Sequence, residues 1–249
     1  STLSSSSAAS DVYKRQGSTS LIAFREIASG GTVFKFGELT YTADGHEKAS
    51  SSTRGIFAGG KAAPTTVTNI DFITITSEGN GQDFGDLTQA RRNIAGNSNS
   101  IRATFAAGTT ASSGTGNNVN TIDFITIATT GNAQDFGDLQ ALGDVMMGGG
   151  MASPIRAIFA GNYTTIIESV EIASTGNSKD FGDMTTSRGC PHSNTDSIRG
   201  VISGGYTPGS TNSMEYIQIM TQGNGVDFGD LVANTANGFD NVSTAHGGL

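Results

Sequence analysis

Gly79-Asn80-Gly81-Gln82-Asp83-Phe84-Gly85-Asp86-Leu87 is one of four copies of a single pattern, Gly-Asn-x-x-Asp-Phe-Gly-Asp closed by Leu or Met. The others occupy residues 131–139, 176–184 and 223–231, and a degenerate fifth reads Phe36-Gly37-Glu38-Leu39. The repeated phenylalanines are Phe36, Phe84, Phe136, Phe181 and Phe228, so successive copies lie 48, 52, 45 and 47 residues apart. Self-similarity at such a period marks a repeat architecture whose units bury their apolar faces against one another. A residue needed in every unit is first of all structural. The block is therefore expected to shape the fold rather than to carry chemistry.

Two further features keep a fixed distance from it. Eighteen to twenty residues after each of the first four phenylalanines stands an arginine followed by an apolar run and glycine: Arg54-Gly-Ile-Phe-Ala-Gly-Gly60, Arg102-Ala-Thr-Phe-Ala-Ala-Gly108, Arg156-Ala-Ile-Phe-Ala-Gly161 and Arg199-Gly-Val-Ile-Ser-Gly-Gly205. A second β-branched run follows after a loop, over 70–76, 122–129, 167–173 and 214–220. Runs of this composition between Gly, Asn and Ser read as strands, and no sustained helical period appears anywhere. The Asp-Phe-Gly-Asp block supplies a short third strand and the segment after it, such as 90–98, a weak fourth. Four short strands in about 45 residues is the size of a propeller blade. Ile122, Phe124, Ile125 and Ile127 cannot share one face of a strand, as suits a sheet buried on both faces between two neighbours. The expectation is an all-β chain forming a β-propeller of about five four-stranded blades, either as its own ring or within one of six to eight. The units run 17–53, 54–101, 102–155, 156–198 and 199–249.

An arginine, an apolar strand ending in Gly-Gly, an acid-aromatic strand and a terminal aromatic block together resemble a kelch-type blade over residues 21–249. Kelch blades usually carry tryptophan where this chain has the block phenylalanine, and the chain contains no tryptophan. The wording Gly-Asn-x-x-Asp-Phe-Gly-Asp more closely resembles kelch-like repeat proteins of marine bacteriophages, which implies a virion or tail-fibre component. Residues 6–16, Ser-Ser-Ala-Ala-Ser-Asp-Val-Tyr-Lys-Arg-Gln, resemble a translated sequencing adapter. Segment 1–16 is accordingly read as a non-native leader, and it lacks the apolar core of a secretion signal.

Composition narrows the function classes. The formal net charge is −8, with 35 glycines and 35% apolar residues. An acidic chain argues against nucleic-acid binding, which needs cations to neutralise phosphates. No apolar run of membrane-spanning length exists. The single cysteine, Cys190, admits no intrachain disulfide. A Cys190–His192 nucleophile pair lacks an orienting third group, and Cys190, His192, His46 and His246 have no zinc spacing. The paired aspartates of the block, such as Asp83 and Asp86, suit a turn held by backbone amides; a calcium site would need several more oxygen ligands. Residues 140–150, the least regular stretch, hold Asp144 without companions. No cofactor, metal or catalytic set is expected.

Each full unit also carries an acid nine residues before the Gly-Asn asparagine: Asp71, Asp123, Glu168 and Glu215. These are expected to bridge the repeated Arg54, Arg102, Arg156 and Arg199 and so lock strands or blades; a ring of charged functional sites is the alternative. The loops between the arginine strand and the acid strand vary most, and loop variation on a regular scaffold is where repeat proteins place recognition. Thr65, Thr66, Asn117, Asn118, Asn162, Tyr163, Tyr206, Thr211 and Asn212 are the candidate ligand-binding residues, the amides and hydroxyls for hydrogen bonding and the tyrosines for stacking on a sugar ring. The expected function is a non-enzymatic binding or structural module on a virion or in the extracellular space, facing a host-surface glycan or another virion protein. A secreted or surface bacterial propeller that binds proteins is the alternative, and a carbohydrate-active propeller enzyme a lesser one.

Overall fold

A computed structural model describes residues 19–24, 32–113, 116–140, 147–235 and 241–243. The leader 1–16, Asp144, His246 and the terminal Gly-Gly lie outside the described residues. Strands β1 (Thr19–Phe24) and β2 (Phe34–Ala43) form a two-stranded sheet. Blade I holds β3 (Glu47–Ser50) and β4 (Arg54–Ala58), a small hairpin of β5 (Lys61–Ala62) and β6 (Thr65–Thr66), then β7 (Asn69–Thr74) and β8 (Gln82–Asp86). Blade II holds β9 (Ala95–Ser98), β10 (Arg102–Ala106), β11 (Thr121–Thr126) and β12 (Gln134–Asp138). Blade III holds β13 (Met147–Ala152), β14 (Arg156–Gly161), β15 (Thr164–Glu171) and β16 (Lys179–Arg188). Blade IV holds β17 (His192–Thr195), β18 (Arg199–Ser203), the short β19 (Tyr206–Thr207), β20 (Gly209–Gln218) and β21 (Val226–Thr235); β22 (Asn241–Ser243) pairs with β17 in parallel.

The fold is all-β, with four-stranded antiparallel blades arranged as a β-propeller; in blade IV the four strands β17, β18, β20 and β21 are joined by the short β19 and by β22. Instead of a fifth full blade, the described residues give the β1–β2 sheet on one side and β22 on the other. The short first strands β3, β9, β13 and β17 lie against one another in order and form the inside of the arc. Sheets and sequence units are out of phase. The weak strand after each block, such as β9, pairs with the next arginine strand, β10, and so opens the following sheet. Each apolar cluster correspondingly sits between two sheets. Phe84 and Leu87 of blade I pack with Phe105, Ile125 and Ile127 of blade II, and Phe136 and Leu139 pack with Phe159, Val170 and Ile172 of blade III.

The repeated block makes the contact between sheets through a β-bulge. Ile70 pairs with Gly85 and Asp71 with Asp83, so Phe84 is the extra residue; the same slip leaves Phe36, Phe136, Phe181 and Phe228 unpaired. A bulge removes one residue from its own ladder and turns its backbone outward. The freed Phe84 carbonyl accepts from Gly131 N–H of the next blade at 2.7 Å. Phe36, Phe136 and Phe181 accept likewise from Gly79, Gly176 and Gly223. The asparagine after that glycine accepts from the block's second acidic residue: Glu38, Asp86, Asp138 and Asp183 N–H donate to Asn80, Asn132, Asn177 and Asn224 at 3.0–3.1 Å. Gly85, at φ +145°, is where the backbones meet, because an added Cβ would stand 2.5 Å from the Gly131 carbonyl oxygen. Only glycine tolerates both that φ and that approach.

Candidate functional site

In a four-stranded antiparallel meander the first and third strands run the same way. The connector entering each blade and the loop from its second to its third strand therefore share one end. Hydrogen bonds tie them together: Asp44 pairs with Lys61 in blade I, Arg92 with Thr109 in blade II and Gly189 with Tyr206 in blade IV. This end carries the variable loops and forms the candidate binding face.

The loops adopt four conformations. Thr65 and Thr66 sit in the β5–β6 hairpin, and Thr66 Oγ1 donates to Thr110 O of blade II at 3.2 Å. Asn117, exposed at φ +59°, accepts from Thr110 N–H through its carbonyl, and Asn118 bridges to Thr109. Asn162 and Tyr163, at φ +66° and +57°, form the two-residue turn between β14 and β15, the geometry a tight hairpin requires. The Tyr163 and Tyr206 rings meet edge-on with centroids 6.4 Å apart, joining the loops of blades III and IV, and stand 36% and 42% exposed. Thr211 Oγ1 accepts from Ser213 N–H, and Asn212 Nδ2 donates to Leu231 O within its own blade, as Asn120 does to Leu139 in blade II. The nine candidates thus share one face. Contacts bring Thr66 toward the blade II loop and Tyr163 to Tyr206, while Asn212 serves its own sheet.

The repeated arginines begin the second strand of each blade and so stand at the end opposite this face. The expected bridges between the repeated arginines and the repeated acids are not what forms. Arg54, Arg102 and Arg199 lie over Phe72, Phe124 and Tyr216, 4.4, 4.7 and 4.8 Å from the ring centroids. Arg54, Arg102 and Arg156 also reach into the next blade, donating to Ile127 O (2.7 Å), Ile172 O (3.0 Å) and Ile219 O (2.8 Å). Blade III has Ser169 where the others carry the ring, so Arg156 instead stands 5.9 Å from Phe181 and pairs with Glu171. An aromatic face and a chain of carbonyls offer the guanidinium enough partners without a buried acid.

The acids reach back to the preceding sheet. Asp71 accepts from Thr40 N and Oγ1, Asp123 from Thr88 N and Oγ1, Glu168 from Gln140 N and Glu215 from Thr185 N. Their cations are residues the sequence reading passed over. Arg91 meets Asp123 at 2.9 Å and Arg188 meets Glu215 at 2.7 Å, all four side chains having no exposure. Both arginines stand seven residues after a block phenylalanine. Arg91 also donates to the carbonyls of Ala107 and Thr121, and Arg188 to those of Gly204 and Ser213. Burial lowers the Arg91 pKa and the Asp123 charge opposes that. At the first interface the matching carbonyls, Gly59 and Asn69, accept from the Tyr41 hydroxyl at 3.1 and 3.3 Å. Burial there raises the Asp71 pKa, and the two Thr40 hydrogen bonds pull it back.

The Cys190 thiol is buried, and burial pushes its pKa to about 11 against a smaller opposing effect of Tyr163. A thiol held protonated is a poor nucleophile. Among the described residues no three His, Cys, Asp or Glu side chains cluster to hold a metal ion, and no helix is long and apolar enough to cross a membrane. In the block, Asp135 accepts from Gly137 N–H and Asp86 from the Thr68 hydroxyl, so the first aspartate braces the bulge and the second ties the strand pair. A cleft of about 170 Å³ lies at the opposite end from the loops, among Phe36, Phe72, Ser77 and Asn80. That is below the roughly 300–1,000 Å³ of small-molecule pockets. No protein-family model matches the chain, and no curated protein matches it significantly.

Proposed function

We propose that this chain is a non-enzymatic binding module of a virion or tail fibre. In this reading its variable-loop face meets a host-surface glycan or a neighbouring virion protein. The observation that carries the reading is the half-exposed Tyr163–Tyr206 pair, which joins two loops on the face where the repeats differ. Aromatic rings with a polar tip and flanking amides suit the alternating apolar and hydroxyl faces of a sugar. The resemblance of the Gly-Asn-x-x-Asp-Phe-Gly-Asp wording to phage kelch-like repeats supports the virion setting.

A glycan array and whole-cell binding with the recombinant chain test it. Tyr206→Ala is expected to reduce binding at least tenfold with little change in the unfolding midpoint, since the residue is 42% exposed. Absence of binding to every glycan and every host envelope overturns the receptor reading.

A further inference from the structure

Blade IV ends on a face that has the same parts as three covered ones. Phe84, Phe136 and Phe181 are 2%, 2% and 1% exposed under the next blade, whereas Phe228 is 49% exposed. The repeat predicts a core role for Phe228 along with the other four; its bulge forms as theirs do, but no sheet among the described residues covers it. Gly229 has φ +108° and open space where a Cβ would stand, while Gly85, Gly137 and Gly182 each meet the backbone of the next Gly-Asn. Val232, in the place of Thr88 and Thr185, is fully exposed. Among the described residues no asparagine accepts from Asp230 N–H and no glycine donates to Phe228 O.

We infer that the outer face of blade IV is a docking surface for a further blade of the same pattern. That blade would present a Gly-Asn turn to Phe228, Gly229 and Asp230, and a strand carboxylate to the backbone of Val232. The occupant is specified by continuity with the three interfaces already formed. In each, a glycine amide donates to the bulge carbonyl, an asparagine accepts from the amide two beyond the phenylalanine and an acid accepts from the residue four beyond it. An apolar ring beside a row of free backbone groups does not suit a purely greasy partner, because those groups need hydrogen bonds once covered.

The chain lacks tryptophan, so Phe228→Trp gives a single emitter on this face and Phe84→Trp a reference for a covered position. The probe is the full chain with residues 232–249 replaced by a second copy of residues 88–140, which brings Asp123 and the Gly131-Asn132 turn. The emission of the Phe228→Trp variant is expected to be that of an exposed indole in the original chain. In the lengthened chain it should move to that of the Phe84→Trp reference, independently of concentration. Gly229→Ala should abolish the move in the lengthened chain and leave the original chain's emission unchanged. Three results overturn the proposal: an indole at position 228 equally exposed in both chains; no gain of β-sheet circular dichroism on lengthening; or a blue shift in the original chain that grows with concentration, which assigns the face to a second copy.

Discussion

Asp71 and Asp123 occupy the same place in consecutive repeats and face opposite electrostatic problems. Asp123 is neutralised by Arg91, whereas Asp71 leans on Thr40 and lies near Tyr41. Removing one partner of a buried ion pair strands the other charge and typically costs about 3–5 kcal/mol. Asp123→Ala is therefore expected to lower stability by about that much in urea unfolding. Asp71→Asn should cost under about 1 kcal/mol, because an amide can accept from Thr40 N–H and donate to Thr40 Oγ1. The two also differ with pH. Since the folded-state pKa of Asp71 is raised, its protonated form contributes stability below the ordinary carboxylate value. That contribution disappears as the pH rises through the higher folded value. Asp71→Asn should remove this loss, and unfolding midpoints measured from about pH 3 to 7 will show whether the slope flattens. The buried arginines were invisible to a reading that looked for features common to all copies. The place seven after the phenylalanine holds Arg91 and Arg188 in two units but Ala43, Gly143 and Thr235 in the rest. Only the fold shows that Tyr41 meets the equivalent carbonyls at the first interface.

At the scale of the element, the Asp-Phe-Gly-Asp block was legible as a turn and short strand. The bulge was not, because a one-residue slip is defined by the partner strand, and a single strand's residue pattern does not carry it. Nor was the phase of the sheets. Both ends of a unit read as strands, and which neighbour β9 joins is decided by long-range pairing. The slip makes the second glycine of the block more sensitive than the asparagine it faces. Gly137→Ala would set a Cβ 2.6 Å from the Gly176 backbone at φ +142°, with an expected cost of about 2–3 kcal/mol. Asn177→Ala removes one hydrogen bond to Asp138 N–H, an expected cost of about 1 kcal/mol. Guanidinium unfolding of the two variants should rank them in that order, and the reverse ranking would mean the sheets separate easily at the bulge.

For the whole molecule, stability should follow the number of covered faces. Units that contact only their neighbours behave as a sum of intrinsic and interface contributions. Strand β11 lies in a blade with a sheet on each side, and β20 in one whose outer aromatic is half exposed. Native-state hydrogen exchange is expected to show protection at least tenfold greater for Ile125 than for Ile217, falling from blade II to blade IV. Uniform protection across the four blades would mean that the arc opens only as one body. The repeat period carried enough information for a propeller, while the expectation of about five blades came from counting blocks. Among the described residues the first block lies in the two-stranded β1–β2 sheet and the other four each lie in a full blade.

The head-to-tail contact between blocks has a direction: the Gly-Asn end of one copy always meets the Phe-Gly end of the copy before it. Each copy is thus both a plug and a socket, and both halves are written within a few residues of one another. Deleting one whole period, for example residues 88–139, would bring Leu87 to Gln140 and set the socket of blade I against the plug of blade III, which already has the matching shape. Deleting half a period would leave a socket with no plug. Such a chain can change its length by whole units through recombination without any surface being redesigned, so repeat number is free to vary while the joint stays fixed.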